Sequence, residues 1–479
     1  MAARPGSLAV LGAAVVLPAA ALAWFASSQA DEAASGEPAA AVAEPAPGPS
    51  VATPLLSSRR VPGVVTGQLA SGPMVAALEP MRAQVNDESC LVVEVSGRPV
   101  FDEDGGRAPI PGSNQKLLVA AVALERLGDD HRFTTEVRGA APIDGVVDGD
   151  LVLVGGGDPL LSTQTYLAEA ARQLRYVPTP ATSMEALADA VVASGVRRVT
   201  GTVVGDESRY DTERGSDGWG SDLFANFEVS YLGALMVDDG FEAVRPLRLS
   251  REPATHAAAV LARLLSERGV VVGGAPAGTP AAPVTLGSVS SAPLREVVGE
   301  MLRESDNVTA ELLLKEIGHA ATGGPGSRLG GLAAVTETLQ GWGIPLDGAA
   351  FFDGSGLDRR NRVSCRTFAT LLDRYPPGTP LADGLAVAGR TGTLTQRFQG
   401  NPVEGRLLAK TGTLSRVKAL SGLLPTEGEP PVTFSLLLNG ANAAGDSFGL
   451  WDALGRALGQ YPYRPDLSAY GPRPPQPGA

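Results

Sequence analysis

From Leu117 to Leu124 the chain reads LLVAAVAL, and both ends of the helix that holds this stretch can be located in the sequence. The helix is expected from about Asn114, and Gly128 stops it, because glycine accepts the left-handed cap without a steric penalty. A helix that is apolar on nearly every face belongs in the middle of a domain, covered by other elements. Two groups of strands are available to cover it. Before the helix, SCLVVEVSGRPVFDED alternates like a hairpin with a glycine turn; near the other end come GRLLAKTGTLSRVKALSGLLP and PVTFSLLLNG, followed by a helix at about 446–459. Strands at both ends with helices between predict an α+β fold, one antiparallel sheet closed by both ends of the chain.

The middle has a different texture. From about Thr134, short strands with glycine turns (TTEVRG, GDLVLVGGGDP, VRRVTGTVVGDESRYD) surround a helical SMEALADAVVASG, which predicts one inserted α+β module over 136–287. The host domain then comprises 73–135 and 288–463. Residues 31–72 are rich in Ala, Pro, Glu and Ser and read as a disordered linker, as does the Pro-rich tail 464–479. Residues 1–30 carry one arginine and an apolar run from Leu8 to Ala26, which fits a secretory signal or an uncleaved membrane anchor. Either reading exports the rest of the chain, and membrane contact is expected only through this segment.

Charge and composition narrow the function classes. The formal charge of −13 comes without any Lys/Arg-rich run, which argues against nucleic acid as a partner. Of 39 basic residues only Lys116, Lys315, Lys410 and Lys418 are lysines. In so arginine-rich a chain a lysine stands out, since it can act as a base where arginine cannot. No His/Cys/Asp cluster has metal-ligand spacing, and no metal or cofactor is expected. The two cysteines, Cys90 and Cys365, leave a disulfide and a pair of buried thiols equally open.

Three short motifs carry chemistry. In SNQK, Ser113 and Lys116 lie three apart at a helix start, so the amine can reach the hydroxyl near the positive end of the helix dipole. SDN, at 305–307, breaks two predicted helices, where it either presents side chains to a cleft or merely caps. KTGT, at 410–413, sits on a predicted strand: Lys410 and Thr411 offer a cation and a hydroxyl to a carboxylate, and Gly412 would let a ligand backbone come close. A second Ser-x-x-Lys, Ser415 to Lys418, lies in strand-like sequence and is read as accidental. A second Thr-Gly-Thr-Leu follows Arg390, twenty residues before the first, and is read as structural.

Ser-x-x-Lys, Ser-Asp-Asn and Lys-Thr-Gly in this order resemble the set found in β-lactamases and penicillin-binding proteins. With PGSNQKLLVAAVAL, LVLVGGGDPLL, GTVVGDESRYD, DGSGLDRRNRVS, AGRTGTLTQRF and AKTGTLSRVKALSG, the chain most resembles the D-alanyl-D-alanine carboxypeptidase/endopeptidases of the S13 peptidase family. The resemblance implies a penicillin-binding-protein transpeptidase-like fold. It implies a stem peptide ending in D-Ala-D-Ala as substrate and β-lactams as inhibitors. It also implies an acylated nucleophile at Ser113 with Lys116 as its base, a proton relay at Ser305, a substrate-amide ligand at Asn307, and Lys410 and Thr411 on the terminal carboxylate. The backbone N–H groups of Ser113 and Thr413 would form the oxyanion hole, and Lys410 would lower the basicity of Lys116. A side-chain pocket for the stem peptide is implied at Asp222, Phe227 and Arg359. The rival readings are a β-lactamase-like hydrolase and a non-catalytic wall-binding protein on the same scaffold. A Ser-His-Asp hydrolase finds only His131, His256 and His319 and no Gly-x-Ser-x-Gly.

Overall fold

The computed structural model describes residues 62–173, 178–278, 283–441 and 443–464. The chain divides into two units, Met1–Val65 and Thr66–Ala479. Of the first, only residues 62–65 are described, as the start of a helix; the second is the subject below. The apolar run Leu8–Ala26, the linker up to residue 61 and the tail from residue 465 lie outside the described residues. No described helix is long and apolar enough to cross a membrane.

Helix α1 (Pro62–Leu78) corrects the end of the expected linker. Its sequence has little polar content, but Ala70, Met74 and Leu78, spaced by four, are buried in an apolar cluster that includes Leu436 and Leu438. Composition alone does not reveal that stripe as a helix, because the apolar surface it packs on arrives from the far end of the sequence.

Strands β1 (Cys90–Val95) and β2 (Arg98–Glu103) form a hairpin whose turn holds Ser96 and Gly97 at positive φ. Helix α2 (Gln115–Leu127) ends at Gly128, φ 84°, and Leu117 through Ala123 are at most 1% exposed. The insert follows: β3 (Thr134–Gly139), β4 (Leu151–Val154), α3 (Met184–Ala193), β5 (Val203–Asp206), α4 (Pro253–Glu267) and β6 (Val284–Ser290). Its sheet has the order β6-β3-β4-β5, and α3 and α4 bury Leu187, Val191, Leu261 and Leu264 with Leu151 and Leu153 in a core of its own. The closing strands reach Thr134 and Ser290, slightly beyond the expected 136–287.

The chain returns through α5 (Leu294–Glu304), α6 (Asn307–Thr322), α7 (Arg328–Gly341), α8 (Cys365–Asp373), the short β7 (Ala386–Val387), β8 (Leu408–Leu414), β9 (Val417–Leu424), β10 (Val432–Asn439) and α9 (Ala443–Leu458). The main sheet has the order β7-β8-β9-β10-β1-β2 with antiparallel neighbours throughout. Both ends of the domain therefore meet in it: β1 pairs with β10 from Cys90↔Leu437 to Val95↔Val432. In β9, Ala419 and Leu423 face the α2 side while Leu420 and Leu424 face the α1 and α9 side. Burial on both faces is why this strand reads as an almost unbroken apolar run.

Two kinds of ties hold the parts in register. Cys90 and Cys365 are joined in a disulfide between β1 and the start of α8. The insert is bound to α6 and α7 by charged groups: Arg209 and Tyr210 donate to Glu316 (2.9 Å each from Nε and the hydroxyl), Lys315 pairs with Asp211, and Arg328 pairs with Glu213 (2.7 Å). Glu316 and Lys315 are each 1% exposed, so these are internal contacts whose partners are matched.

Candidate active site

The site forms where β8 has a free edge. β7 pairs with β8 only at Leu408 and Ala409, so from Lys410 onward one edge of β8 is left without a strand partner on that side. A 3-10 turn, Gly112–Asn114, packs on the face of β8 and β9 beside this edge and runs directly into α2. A Cβ on Gly412 would stand 3.0 Å from the Pro111 carbonyl oxygen and 3.1 Å from Ser113 N. Gly412 thus admits the protein's own Ser113 turn. The Asn114 amide, oriented to satisfy both neighbours, donates to the Lys410 carbonyl (3.0 Å) and accepts from Ser421 Oγ (2.6 Å). This buried residue fastens the turn to the strand, and no sequence argument singled it out.

Lys116 is fully buried one helical turn beyond Ser113. Its Nζ donates to Asn307 Oδ1 (2.6 Å) and the Ser355 carbonyl (2.7 Å) and lies within hydrogen-bond distance of Ser113 Oγ (2.9 Å). The three partners come from three separate parts of the chain. Ser355 is itself held by Glu311 on α6, whose Oε1 accepts from the N–H groups of Gly354 (3.0 Å) and Ser355 (2.6 Å). Burial and the neighbouring Asp353 push the Glu311 carboxyl up to about 7.

Ser305 and Asn307 bracket the joint between α5 and α6. Ser305 ends α5 in the left-handed conformation, φ 66°, which costs a non-glycine residue roughly 1–2 kcal/mol. Asp306 caps α6 by accepting from Val308 N (2.8 Å). Both readings of the motif therefore hold together: the middle residue caps, and the outer two face the cleft. Ser305 Oγ accepts from Lys410 Nζ (2.8 Å), and Lys410 is fully buried. Asn307 Oδ1 is taken by Lys116, and its Nδ2 donates to the Glu228 carbonyl (2.7 Å). One N–H of the Asn307 amide is thus taken by the Glu228 carbonyl, and the second remains to donate to a substrate.

One cleft, of about 610 Å³, is lined by Ser113, Ser305, Asn307, Thr411 and Thr413 together with Asp222 and Ser415. Arg359 is exposed at its edge and donates to the Ser415 carbonyl (2.8 Å). Phe227 is placed elsewhere. It lines a neighbouring cavity with Tyr166, Asp239 and Phe241, which touches the main cleft through Ser305, Asn307 and Glu228. The structure thus brings Asp222 and Arg359 to the cleft containing Ser113 and separates Phe227 from it.

The sequence reading missed several lining residues, Thr393, Lys418 and Trp451 among them. Thr393, from the second Thr-Gly-Thr-Leu, lines the cleft and accepts from Thr411 Oγ1 (2.9 Å). Lys418, the end of the supposed accidental Ser-x-x-Lys, also lines it and donates to Thr413 Oγ1 (3.1 Å) from the adjacent strand. Ser415 itself lies in the β8–β9 hairpin turn. Trp451 on α9 closes the same end. The scarcity of lysine could have flagged Lys418 and the repeated tetrapeptide could have flagged Thr393; Trp451 had no signal.

Residues 83–248 and 241–449 match the family model described as D-Ala-D-Ala carboxypeptidase 3 (S13). A D-alanyl-D-alanine carboxypeptidase of Actinomadura sp. (strain R39) is 32% identical over 456 residues, covering 78% of this chain and 80% of that protein. Carboxypeptidase DacB of Mycolicibacterium smegmatis is 34% identical over 360 residues, covering 72% and 74%. Among solved structures, penicillin binding protein 4 of Haemophilus influenzae superposes with a TM-score of 0.66 over 80% of this chain and 98% of its own, at 20% identity. The same protein complexed with a β-lactam gives 0.62. That likeness establishes the fold as the one penicillin-binding proteins use. From the family match and the relatives' identities, the chain belongs to the D-Ala-D-Ala carboxypeptidase 3 (S13) family.

Proposed function

We propose that this protein is a serine D-alanyl-D-alanine carboxypeptidase that trims peptidoglycan stem peptides through an acyl-enzyme on Ser113. The observation that carries the reading is the environment of Lys116. A neutral lysine amine has two N–H bonds and one lone pair. Asn307 Oδ1 and the Ser355 carbonyl are acceptors only and take the two N–H bonds, which leaves the lone pair for the Ser113 hydroxyl at 2.9 Å. That is the arrangement of a base and its nucleophile.

The reaction runs in two steps. Ser113 Oγ attacks the carbonyl of the penultimate D-alanine as Lys116 takes its proton, and the N–H groups of Ser113 and Thr413 receive the oxyanion. The leaving amine takes the proton from Lys116 through Ser305, whose hydroxyl is held in place by the bond that Lys410 donates to it. Lys410, Thr411 and the free edge of β8 hold the departing carboxylate. Water then hydrolyses the ester with Lys116 again as base. Asp222 and Arg359 contact the stem-peptide side chain, a zwitterion being suited to such a pair. β-Lactams, one of which is bound by the Haemophilus protein, stop the cycle at the ester. The apolar N-terminal segment supports an extracytoplasmic enzyme, retained in the cell envelope or secreted.

The test is to incubate the protein with a fluorescent penicillin, locate the label by peptide mapping, and measure D-alanine released from a stem pentapeptide. Label on Ser113 with D-alanine release is expected; label that survives Ser113→Ala would sink the assignment.

A further inference from the structure

One peptide plane directs the Lys116 amine. The carbonyl of Ser355 accepts from Lys116 Nζ at 2.7 Å, and the N–H of the next residue, Gly356, donates to Asp353 Oδ1 at 2.9 Å. That carbonyl and that N–H belong to a single planar unit and point in opposite directions, so whatever holds the N–H also aims the carbonyl. The plane sits against the nucleophile turn: a Cβ on Gly356, φ +84°, would stand 1.9 Å from the Gly112 carbonyl oxygen. Gln115, between Ser113 and Lys116 on α2, adds a bond from its Nε2 to the main-chain carbonyl of Asp353 (3.3 Å).

Asp353 is fully buried, and both of its side-chain oxygens are engaged twice. Three of the donors come from its own loop: Gly356 N, Asn361 Nδ2 (2.7 Å) and Asp358 N (2.6 Å). The remaining donor comes from the insert, where the indole Nε1 of Trp219 reaches Asp353 Oδ2 at 2.9 Å. Trp219 belongs to the same insert loop as Asp222, and neither Trp219 nor Asp353 lines the main cleft. The two loops also meet at the exposed rim, where Arg360 pairs with Asp217 (2.7 Å). The rim pair ties the loops together without touching Asp353; only the indole N–H does that. A buried acceptor that loses a donor is costly to leave unsatisfied. Asp353 can find a new partner only by turning, which takes the Gly356 N–H with it.

We infer that Trp219 is a positioning residue for the Lys116 base. Its indole N–H fixes the Asp353 side chain, Asp353 fixes the 355–356 peptide plane, and the carbonyl of that plane takes one N–H of Lys116 so that the lone pair stays on Ser113. The insert thereby acts on the chemical step as well as on recognition of the stem peptide. The inference rests on the function proposed above and deepens it.

The test replaces Trp219 in the full chain by 3-benzothienylalanine, which keeps the fused-ring shape and carries sulfur in place of the N–H; Trp219→Phe is the second variant. Acylation by a fluorescent penicillin is resolved into a binding constant and a maximal first-order rate, and kcat and KM are measured for a stem pentapeptide. The first-order rate is read on molecules that take the label, and kcat is scaled to the labelled fraction, so a misfolded fraction lowers neither. In both variants the maximal acylation rate and kcat are expected to fall by about five- to tenfold, with KM and the penicillin binding constant changed less than about twofold. Arg360→Gln, which cuts the rim pair, is expected to change both rates less than about twofold. Unchanged rates in the benzothienylalanine protein overturn the inference. A raised KM with an unchanged penicillin rate overturns it as well, because that makes Trp219 a wall of the stem-peptide pocket. An equal fall in Arg360→Gln overturns the path through Asp353 by assigning the effect to loop docking as a whole. Label on Ser113 with any of these outcomes leaves the proposed function standing; no label on the unaltered protein removes the function itself.

Discussion

The tetrapeptide Thr-Gly-Thr-Leu occurs at 391–394 and at 411–414, and the two copies fold differently. The later copy is strand, paired with β9 from Leu408↔Leu423 to Leu414↔Val417. In the earlier copy Thr391 is extended and Gly392–Leu394 form a 3-10 turn. Each uses its glycine to admit another piece of backbone. A Cβ on Gly392 would stand 2.2 Å from the Arg303 carbonyl oxygen, just ahead of Ser305, whereas the one on Gly412 would approach Ser113 N. One copy thus braces the end of α5 and the other braces the nucleophile turn, and their threonines meet at Thr393 and Thr411. The preceding cations differ most: Lys410 is fully buried against Ser305, and Arg390 is exposed. Identical side chains therefore give equal chemistry only where the surroundings are equal.

Substitution in matched pairs separates the copies. The largest difference is expected between Lys410→Ala and Arg390→Ala. The first removes the charge behind Ser305 and should lower penicillin acylation by roughly 10²–10³-fold, as loss of a preorganised electrostatic group does. The second should change it less than about threefold, since surface substitutions rarely cost more than ~0.5 kcal/mol; equal losses would refute the distinction drawn here.

The glycines come next, with the readouts crossed. Gly392 has φ +53° and no room for a methyl against backbone, so Gly392→Ala should lower stability by about 1–3 kcal/mol in thermal or urea unfolding. Gly412→Ala meets softer contacts at 3.0–3.1 Å and should act mainly on acylation rate by displacing Ser113. A stable Gly392→Ala protein would mean that the turn does not brace α5.

The threonines should differ least. Thr411→Val removes a hydroxyl proposed to meet the substrate carboxylate and should raise KM for the stem peptide roughly tenfold, a charge-assisted hydrogen bond being worth ~1.5–3 kcal/mol. Thr393→Val removes only the partner of Thr411 and should cost about 1 kcal/mol or less, a factor of roughly five. Reversal of that order would make Thr393 the primary contact.

A pH effect bears on the support behind Lys116 rather than on the twin copies. Glu311 has its carboxyl raised to about 7 in the folded protein, above its value in the unfolded chain. The folded state then holds more protons than the unfolded state between the two values, so this group's contribution to stability declines as pH rises through about 7. Glu311→Gln should flatten that decline when melting temperatures are compared between acidic and mildly alkaline buffers; an unchanged slope would assign the titration to another group.

Much of the fold was legible because its signals are local. The apolar α2, its glycine stop, the α5–α6 break at Ser305 and the strand at Lys410 each rest on periodicity or a cap within a few residues. The three motifs were legible for the same reason. Asn114, Thr393, Lys418 and Trp451 were not, because what matters about each is a neighbour far away in sequence. Asn114 meets Ser421, Thr393 meets Thr411, and Trp451 stands with Phe448 at the far end of the cleft. Helix α1 was missed because the surface it buries against is made by β10.

Residue chemistry and spacing by themselves determined which groups could be nucleophile, base and cation, since one turn of helix brings Ser113 to Lys116 in any fold that keeps that helix. Only the tertiary structure decided what each Thr-Gly-Thr-Leu touches and which of four lysines share the cleft. Lys315 went to a structural ion pair with Asp211, and Lys418, which looked incidental, went to the cleft. The reason is physical: a side chain's charge is local, but its burial and partners are properties of the whole packed chain.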